Sequence, residues 1–143
     1  MPSDRCGMPA SGTGPRDRRR TRQLALVLAA VRESGSDHPT AERVHRRVRR
    51  TLPRVSLGTV YRNLQRLAGE GTIAIANVGA RPLRYDPVPS PHDHFVCRAC
   101  GSIVDLPALG PRLHLRRLRR AGHRVDTHAT VVYGRCRGCR EEC

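Results

Sequence analysis

From Thr21 onward, apolar residues recur at helical spacing. Leu24, Val27, Leu28 and Val31 share one side of a helix that ends near Glu33, before Ser34-Gly35-Ser36. A second helix starts at Pro39-Thr40. Thr40 is suited to accept a free N–H of the first turn, Glu42 sits at the positive end of the helix dipole, and Ala41, Val44 and Val48 form the stripe to be buried. His45 and the arginines of this segment lie off that stripe. After Pro53 a third helix starts at Ser56, with Leu57, Val60, Leu64 and Leu67 on its inner face and Thr59, Arg62, Asn63 and Arg66 on the outer one. Gly71 is placed to cap its end. Ile73 and Ile75 then alternate with small residues, Asn77-Val78-Gly79 turns the chain, and Leu83 and Tyr85 alternate again, which predicts a short hairpin. Three helices followed by a hairpin is the plan of a winged helix-turn-helix, a DNA-binding architecture.

Asp86-Pro87-Val88-Pro89-Ser90-Pro91 interrupts the pattern. Its prolines make a stiff, extended hinge at 87–91, between a DNA-binding domain over 20–86 and a second domain over 92–143. Residues 1–19 are rich in Pro, Gly, Ser and Arg and read as a flexible basic tail. The second domain reads as a strand (His94–Cys97), a turn (Cys97–Gly101), a strand (Ser102–Leu106), a helix (about Leu109 to Ala121) and a strand (Arg124–Tyr133), then a turn holding Cys136 and Cys139. The fold class is therefore α+β: an N-terminal winged helix-turn-helix followed by a small α/β domain. No internal repeat is visible.

The charge balance sharpens the choice of partner. In 143 residues there are 27 basic residues, all arginine, against 12 acids, giving +15. That excess suits a polyanion, either nucleic acid or an anionic membrane surface. An arginine-only basic set also reflects genomic base composition. The longest apolar run, Leu24–Val31, is too short to span a bilayer, and the basic leader lacks a signal-peptide cleavage pattern, so a cytoplasmic location is expected. There the six cysteines are better suited to metal than to disulfides. With one Phe and no Trp, the small cores need such a staple.

Cys97-Arg98-Ala99-Cys100 and Cys136-Arg137-Gly138-Cys139 are two CxxC pairs. Each presents two thiolates from one tight turn, and two such turns close a tetrahedral structural Zn2+ site. The same four thiolates would also hold an iron–sulfur cluster, whereas a redox dithiol needs only one pair. The 35 intervening residues mean that the metal would tie the end of the second domain to its start. Cys6 and Cys143 have no place in this scheme. A second candidate centre lies in Pro91-His92-Asp93-His94. Residues two apart on extended chain face the same side, so His92 and His94 present two imidazoles together. His38, Asp86 and Asp105 are candidate partners, and such a His/carboxylate set would take borderline metals, Mn(II) or Fe(II). The competing reading leaves these residues as solvated loop and strand-end groups.

At these motifs the chain resembles the ferric uptake regulator family of metal-dependent bacterial repressors. The resemblance rests on Asp37-His38-Pro39-Thr40-Ala41-Glu42, Val55-Ser56-Leu57-Gly58-Thr59-Val60-Tyr61-Arg62-Asn63-Leu64, Arg84-Tyr85-Asp86, His92–Gly101 and Tyr133–Cys139. It spans about Thr21 to Arg140. It implies a winged-helix domain joined to an α/β dimerisation domain, a homodimer, and binding to palindromic operators in double-stranded DNA. It also implies that Cys97, Cys100, Cys136 and Cys139 hold structural zinc. His38, Asp86, His92, His94 and Asp105 fall on the regulatory site, filled by Fe2+ or Mn2+. Tyr61 and Arg62 fall on base- and backbone-contacting positions, with Thr59 and Asn63 beside them. Arg46, Arg49 and Arg50 suit phosphates. The family's usual first-helix motif appears here as Thr21-Arg22-Gln23-Leu24, so Arg22 or Arg20 would replace its phosphate-contacting arginine. A third site found in some members is matched only by Asp93 and His128, with Pro91 and Arg112 at its other positions.

Asp at 105 and His at 38 are shared with the peroxide-sensing branch, in which bound Fe(II) reacts with peroxide and oxidises a ligand histidine. The resemblance exposes His38 and His92 to that fate. Iron-uptake or zinc-uptake control is the alternative within the family. Outside it stand a metalloenzyme and a structural zinc module. Five filled ligand positions leave an enzyme little room for substrate, and the Arg/Asn/Tyr face of the third helix speaks against a module that ignores DNA. Substituting Arg62→Ala should weaken operator binding more than non-specific binding in a salt-controlled titration. Equal weakening of both would make Arg62 a phosphate contact.

Overall fold

A computed structural model describes residues 15–76, 78–79, 82–107 and 113–140. The first helix, α1, spans Pro15–Arg32. It begins six residues before the point expected from the apolar spacing, so residues 15–19 are helical rather than tail. The reason is local: a proline at the first helical position gives up no needed N–H, Asp17 lies in the positive first turn, and arginine is a good helix former. The remainder of the expected tail, 1–14, lies outside the described residues, as do Cys6 and Cys143.

Helix α2 (Ala41–Val48) is capped by the Thr40 hydroxyl, which accepts from Arg43 N at 3.3 Å. Helix α3 (Leu57–Gly69) is capped in the same way by Ser56, accepting from Thr59 N at 3.2 Å. Gly71, at φ +68°, ends it in the left-handed region. Strands β1 (Ala74–Ala76) and β2 (Arg84–Asp86) pair antiparallel as the wing, with Ile75 opposite Tyr85. The inner faces of the three helices meet in one core: Val27, Val31, Val44, Val60, Leu64 and Tyr85 are all fully or almost fully buried in it.

Strands β3 (Asp93–Cys97), β4 (Ile103–Leu106) and β5 (Val131–Gly134) form a sheet of order β4-β3-β5, in which β3 runs antiparallel to β4 and parallel to β5. Between them lies helix α4 (Leu113–Arg120). The earlier part of the expected helix, about 109–112, lies outside the described residues. The last strand is shorter than its alternating sequence suggested, and residues 124–130 are not strand. The ladder with β5 starts at His94–Val131, with His94 N donating to Thr130 O at 2.9 Å just before it, and the chain before Asp93 runs through prolines that cannot donate to a ladder, so the pairing does not extend further upstream. The Asp93 carboxylate instead accepts the N–H of Thr130 at 2.7 Å. The Cys136–Cys139 turn closes as a single helical turn, α5 (Arg137–Arg140).

The register sorts this sheet by function. His94, Val96, Ile103, Asp105, Val131 and Tyr133 share the face turned to the wing. There Val96, with Ile103 and Val131, packs against Ala76 and Val78. Phe95, Val104 and Val132 share the opposite face, where the two valines are exposed. No helix among the described residues is long and apolar enough to cross a membrane. The three-helix core makes a direct prediction: Leu64→Ala should lower the stability of the first domain by about 2–5 kcal/mol in denaturant unfolding. A loss well under 1 kcal/mol would mean the site can collapse and the core is not packed as described.

Candidate metal centres

The register that pairs β3 with β4 sets His94 directly opposite Asp105. His92 enters just before β3. Asp86 ends β2, and the neighbouring Tyr85 N–H donates to Pro39 O at 3.0 Å, which brings the wing to the segment holding His38. One nitrogen or oxygen from each of His38, Asp86, His92, His94 and Asp105 converges, all within 4.8 Å of one another. His38 lies just before α2 and Asp86 ends the wing, while His92 and His94 lie beside and on β3 and Asp105 on β4 of the three-stranded sheet. His38 Nε2 lies 2.9 Å from Asp105 Oδ1 and 3.4 Å from Asp86 Oδ2. His92 Nε2 is 3.0 Å and His94 Nε2 3.4 Å from the same Asp86 oxygen.

The outer atoms of these ligands are already spoken for. His38 Nδ1 donates to Ser36 O at 2.7 Å and His92 Nδ1 donates to Ser90 O at 2.8 Å. A carbonyl only accepts, so in each neutral ring the proton sits on Nδ1 and the Nε2 lone pair points inward. Asp86 Oδ1 accepts from Val88 N at 2.7 Å, which leaves Oδ2 for the centre. His38 Nε2, His92 Nε2 and Asp105 Oδ1 are buried and make no properly oriented hydrogen bond, despite separations near 3 Å. Lone pairs facing lone pairs at that distance repel unless a proton on the imidazole or a metal cation lies between them. The residues therefore fit a metal ion. Three imidazoles and two carboxylates, with no thiolate, fit Fe(II) or Mn(II) better than a zinc-selecting site.

In the absence of a metal the same contacts favour charge on two of these residues. Burial works against a charged Asp86, but the His38 contact and the Val88 N–H outweigh it and hold the carboxyl below its ordinary value. Burial also opposes charge on His38, yet Asp86, the Ser36 carbonyl and Asp105 together raise its pKa. His94 moves the other way, lowered by burial and by the neighbouring His92. His38 is the one non-glycine residue among those described with positive φ (+42°), a left-handed conformation costing of order 1–3 kcal/mol, and it is wholly buried. The fold holds this strain at a ligand. A cavity of about 450 Å³, lined by Asp86, Ser90, His92, His94, His128 and Val131, opens beside the cluster.

The four cysteines converge independently. Cys97, Cys100, Cys136 and Cys139 are all free thiols, and one sulfur of each lies within 4.8 Å of the others. Cys100 Sγ and Cys136 Sγ are 3.7 Å apart. Four sulfurs about 2.3 Å from a tetrahedral centre stand about 3.8 Å apart, so the spacing fits one zinc ion. Cys97 is pulled down to about 6 by the backbone N–H groups of Cys100 and Cys136, whereas its sulfur neighbours Cys136 and Cys100 push Cys139 up to about 12. The cluster thus has a standing thiolate and a thiol that only a metal would deprotonate.

Of the residues expected to face DNA, Arg62 is exposed and holds its guanidinium 3.2 Å from Thr59 Oγ1. Asn63 is half-buried on the same helix. Tyr61 is half-buried, and its hydroxyl donates to Glu42 Oε1 at 2.8 Å, a link between α2 and α3 that the sequence did not announce. Arg20 and Arg22 are exposed on α1. The early start of α1 adds Arg18 and Arg19, which with Arg22 and Arg54 line a cavity of about 540 Å³ floored by Leu52 and Pro53. The signal that would have found them is Pro15 followed by Asp17. For the third site, Asp93 is engaged with Thr130 and Arg112 lies outside the described residues.

The chain is similar to known proteins. The model of the ferric uptake regulator family matches residues 16–133. The chain is 34% identical over 104 residues to the peroxide operon regulator of Bacillus subtilis, covering 71% of each protein. It is 31% identical over 115 residues to the peroxide-responsive repressor PerR of Staphylococcus epidermidis, covering 76% of this chain and 73% of that one. Among solved structures it is similar to the Campylobacter jejuni peroxide stress regulator, with a TM-score of 0.71, 27% identity, and coverage of 87% of this chain and 93% of that one.

Two outcomes test the cysteine centre. Cys97→Ser should lose zinc, measured by mass spectrometry under native conditions, and unfold the second domain. A variant that keeps zinc and fold contradicts the assignment. For the wild type, lowering the pH from neutral through about 6 should weaken zinc binding, because the Cys97 thiolate then takes up a proton in competition with the metal.

Proposed function

The chain belongs to the ferric uptake regulator family, and from that premise we propose that it is a metal-dependent, DNA-binding transcriptional repressor that responds to peroxide. The observation that carries this reading is the convergence of five ligand atoms drawn from both sides of the proline-rich hinge. An ion held there binds one arrangement of the two domains better than any other. It shifts the population towards that arrangement by its differential affinity alone.

The proposed division of labour follows the domains. Residues 20–86 read DNA: α3 enters the major groove with Tyr61, Arg62, Thr59 and Asn63, while Arg20 and Arg22 on α1 meet phosphates. Residues 92–143 dimerise, and the exposed Val104 and Val132 beside Phe95 give a second copy an apolar face to cover. A two-fold dimer presents two reading heads, which suits a palindromic operator. Cys97, Cys100, Cys136 and Cys139 hold structural zinc. His38, Asp86, His92, His94 and Asp105 hold regulatory Fe(II) or Mn(II). Its place of action is the cytoplasm, where the DNA lies.

Peroxide sensitivity is supported by the named relatives and by the ligand set. Bound Fe(II) supplies the electrons that cleave a peroxide O–O bond, whereas Mn(II) does not readily do so. The chain's own part is to offer the oxidisable rings of His38 and His92, to fix both by Nδ1–H bonds to carbonyls, and to leave a cavity lined by His92, His94 and Asp86 through which a small molecule reaches the cluster. Gain of oxygen on either ring would weaken its donor nitrogen and release the closed arrangement.

The test is DNA binding by fluorescence anisotropy on Fe(II)- and Mn(II)-loaded protein, with and without peroxide. Both forms should bind, and peroxide should abolish binding only in the Fe(II) form, with an added oxygen on His38 or His92 by mass spectrometry. Equal resistance of both forms would make this an iron-uptake regulator without peroxide sensing. His92→Ala should keep fold and zinc yet lose metal-activated binding. Full activation in that variant would remove His92 from the site.

A further inference from the structure

The closed arrangement has a second fastener that uses no metal. Tyr133, on β5 of the second domain, reaches the wing of the first and donates its hydroxyl to Val78 O at 2.7 Å. Val78 is itself buried in the small apolar cluster with Ala76, Val96, Ile103 and Val131, so the contact lies over a dry seam. The next residue is built for this approach. Gly79 has φ +67°, and a Cβ added there would meet Tyr133 Oη at 2.8 Å. The ring is held from the other side: the Arg98 guanidinium stacks over it at 5.3 Å, and Arg98 N donates to Gly134 O at 2.8 Å. Arg98 lies inside the first CxxC turn, so the tyrosine is braced by the loop that carries Cys97 and Cys100.

Tyr133 and Val131 share the sheet face that carries His94 and Asp105. The same docking of wing on sheet that makes the Tyr133–Val78 bond also brings His38 and Asp86 to the other ligands. We infer that Tyr133 is a positioning residue for the five-ligand site: it latches the wing tip to the second domain and so raises the fraction of metal-free protein already arranged to receive the ion. This inference rests on the functional reading above for its consequence, metal affinity, but not for the latch itself. By linkage, a contact made only in the closed arrangement strengthens every ligand that prefers that arrangement.

Tyr133→Phe removes the hydroxyl and keeps the ring that Arg98 covers. Small-angle X-ray scattering on zinc-loaded protein without a regulatory metal should give a larger radius of gyration for Tyr133→Phe than for wild type. Titration with Mn(II), followed by electron paramagnetic resonance, should give a Kd about three- to tenfold weaker, the size expected for one lost hydrogen bond. Saturating Mn(II) should bring the two proteins to the same radius, and zinc content should not differ. A role confined to local stability would lower the melting temperature and leave the metal-free radius unchanged. Gly79→Ala attacks the same contact from the wing side and should reproduce both shifts. The absence of either shift in Tyr133→Phe overturns the latch. A wild type that binds Mn(II) no better than His92→Ala overturns the functional reading instead, and the metal-free scattering then decides Tyr133 alone.

Discussion

Lone pairs that face one another with nothing between them set the terms for this molecule. Three imidazole nitrogens and two carboxylate oxygens are drawn into a space less than 5 Å across, most of it closed to solvent. Ser36, Ser90 and Val88 occupy the outer atoms of three of these residues, so with neutral rings their inner atoms can only accept. Without positive charge at the centre the arrangement is repulsive. With it, the same arrangement ties the two domains together. The strained backbone at His38, φ +42°, falls on one of the five residues of this cluster. Metal dependence is therefore a property of where the chain places its acceptors, not only of which residues it contains.

The three-stranded sheet is the part that makes the coupling possible. Alternation along β3 sends His94 and Val96 to one side and Phe95 to the other, and the partners of β3 in β4 and β5 follow suit. One face thereby carries ligands, the apolar seam and the Tyr133 contact, all turned to the wing. The other leaves Val104 and Val132 exposed. The cysteine cluster sits at the end of the same sheet, where β3 runs into the first CxxC turn and β5 into the second. A zinc ion there would fix the ends of β3 and β5 together, and with them the register that sets His94 opposite Asp105. A structural ion at the cysteines and a regulatory ion at the histidines would thus act on one piece of secondary structure.

Much of this was legible in the chain. The helical spacing of Val27 and Val31, of Val44 and Val48, and of Val60, Leu64 and Leu67 named the core, because burial on a helix demands that period. Thr40 and Ser56 announced their helices through their hydroxyls. The two CxxC turns carry their own geometry, so spacing sufficed. His92 and His94 could be paired by strand alternation, but His38, Asp86 and Asp105 could be joined to them only through resemblance. Their meeting depends on a wing docked on a distant sheet, which no local rule encodes. The misses have the same origin. The alternating stretch before Val131 looked like strand, yet the proline-rich chain opposite it cannot continue the ladder. Residues 15–19 looked like tail because an arginine-rich helix lacks the apolar spacing that marks a buried helical face. Tyr133 gave no signal, since a tyrosine beside a cysteine turn says nothing of the turn it will touch in another domain.

X-ray absorption at the manganese edge, on the zinc-loaded dimer titrated with one equivalent of Mn(II), examines the repulsive cluster itself. The account requires first-shell scattering from nitrogen and oxygen only, with the multiple-scattering signature of about three imidazoles, and loss of part of that signature when His38 is replaced by alanine. A manganese ion surrounded by water oxygens, or one whose spectrum His38→Ala leaves untouched, would mean that the five side chains meet for some reason other than holding an ion.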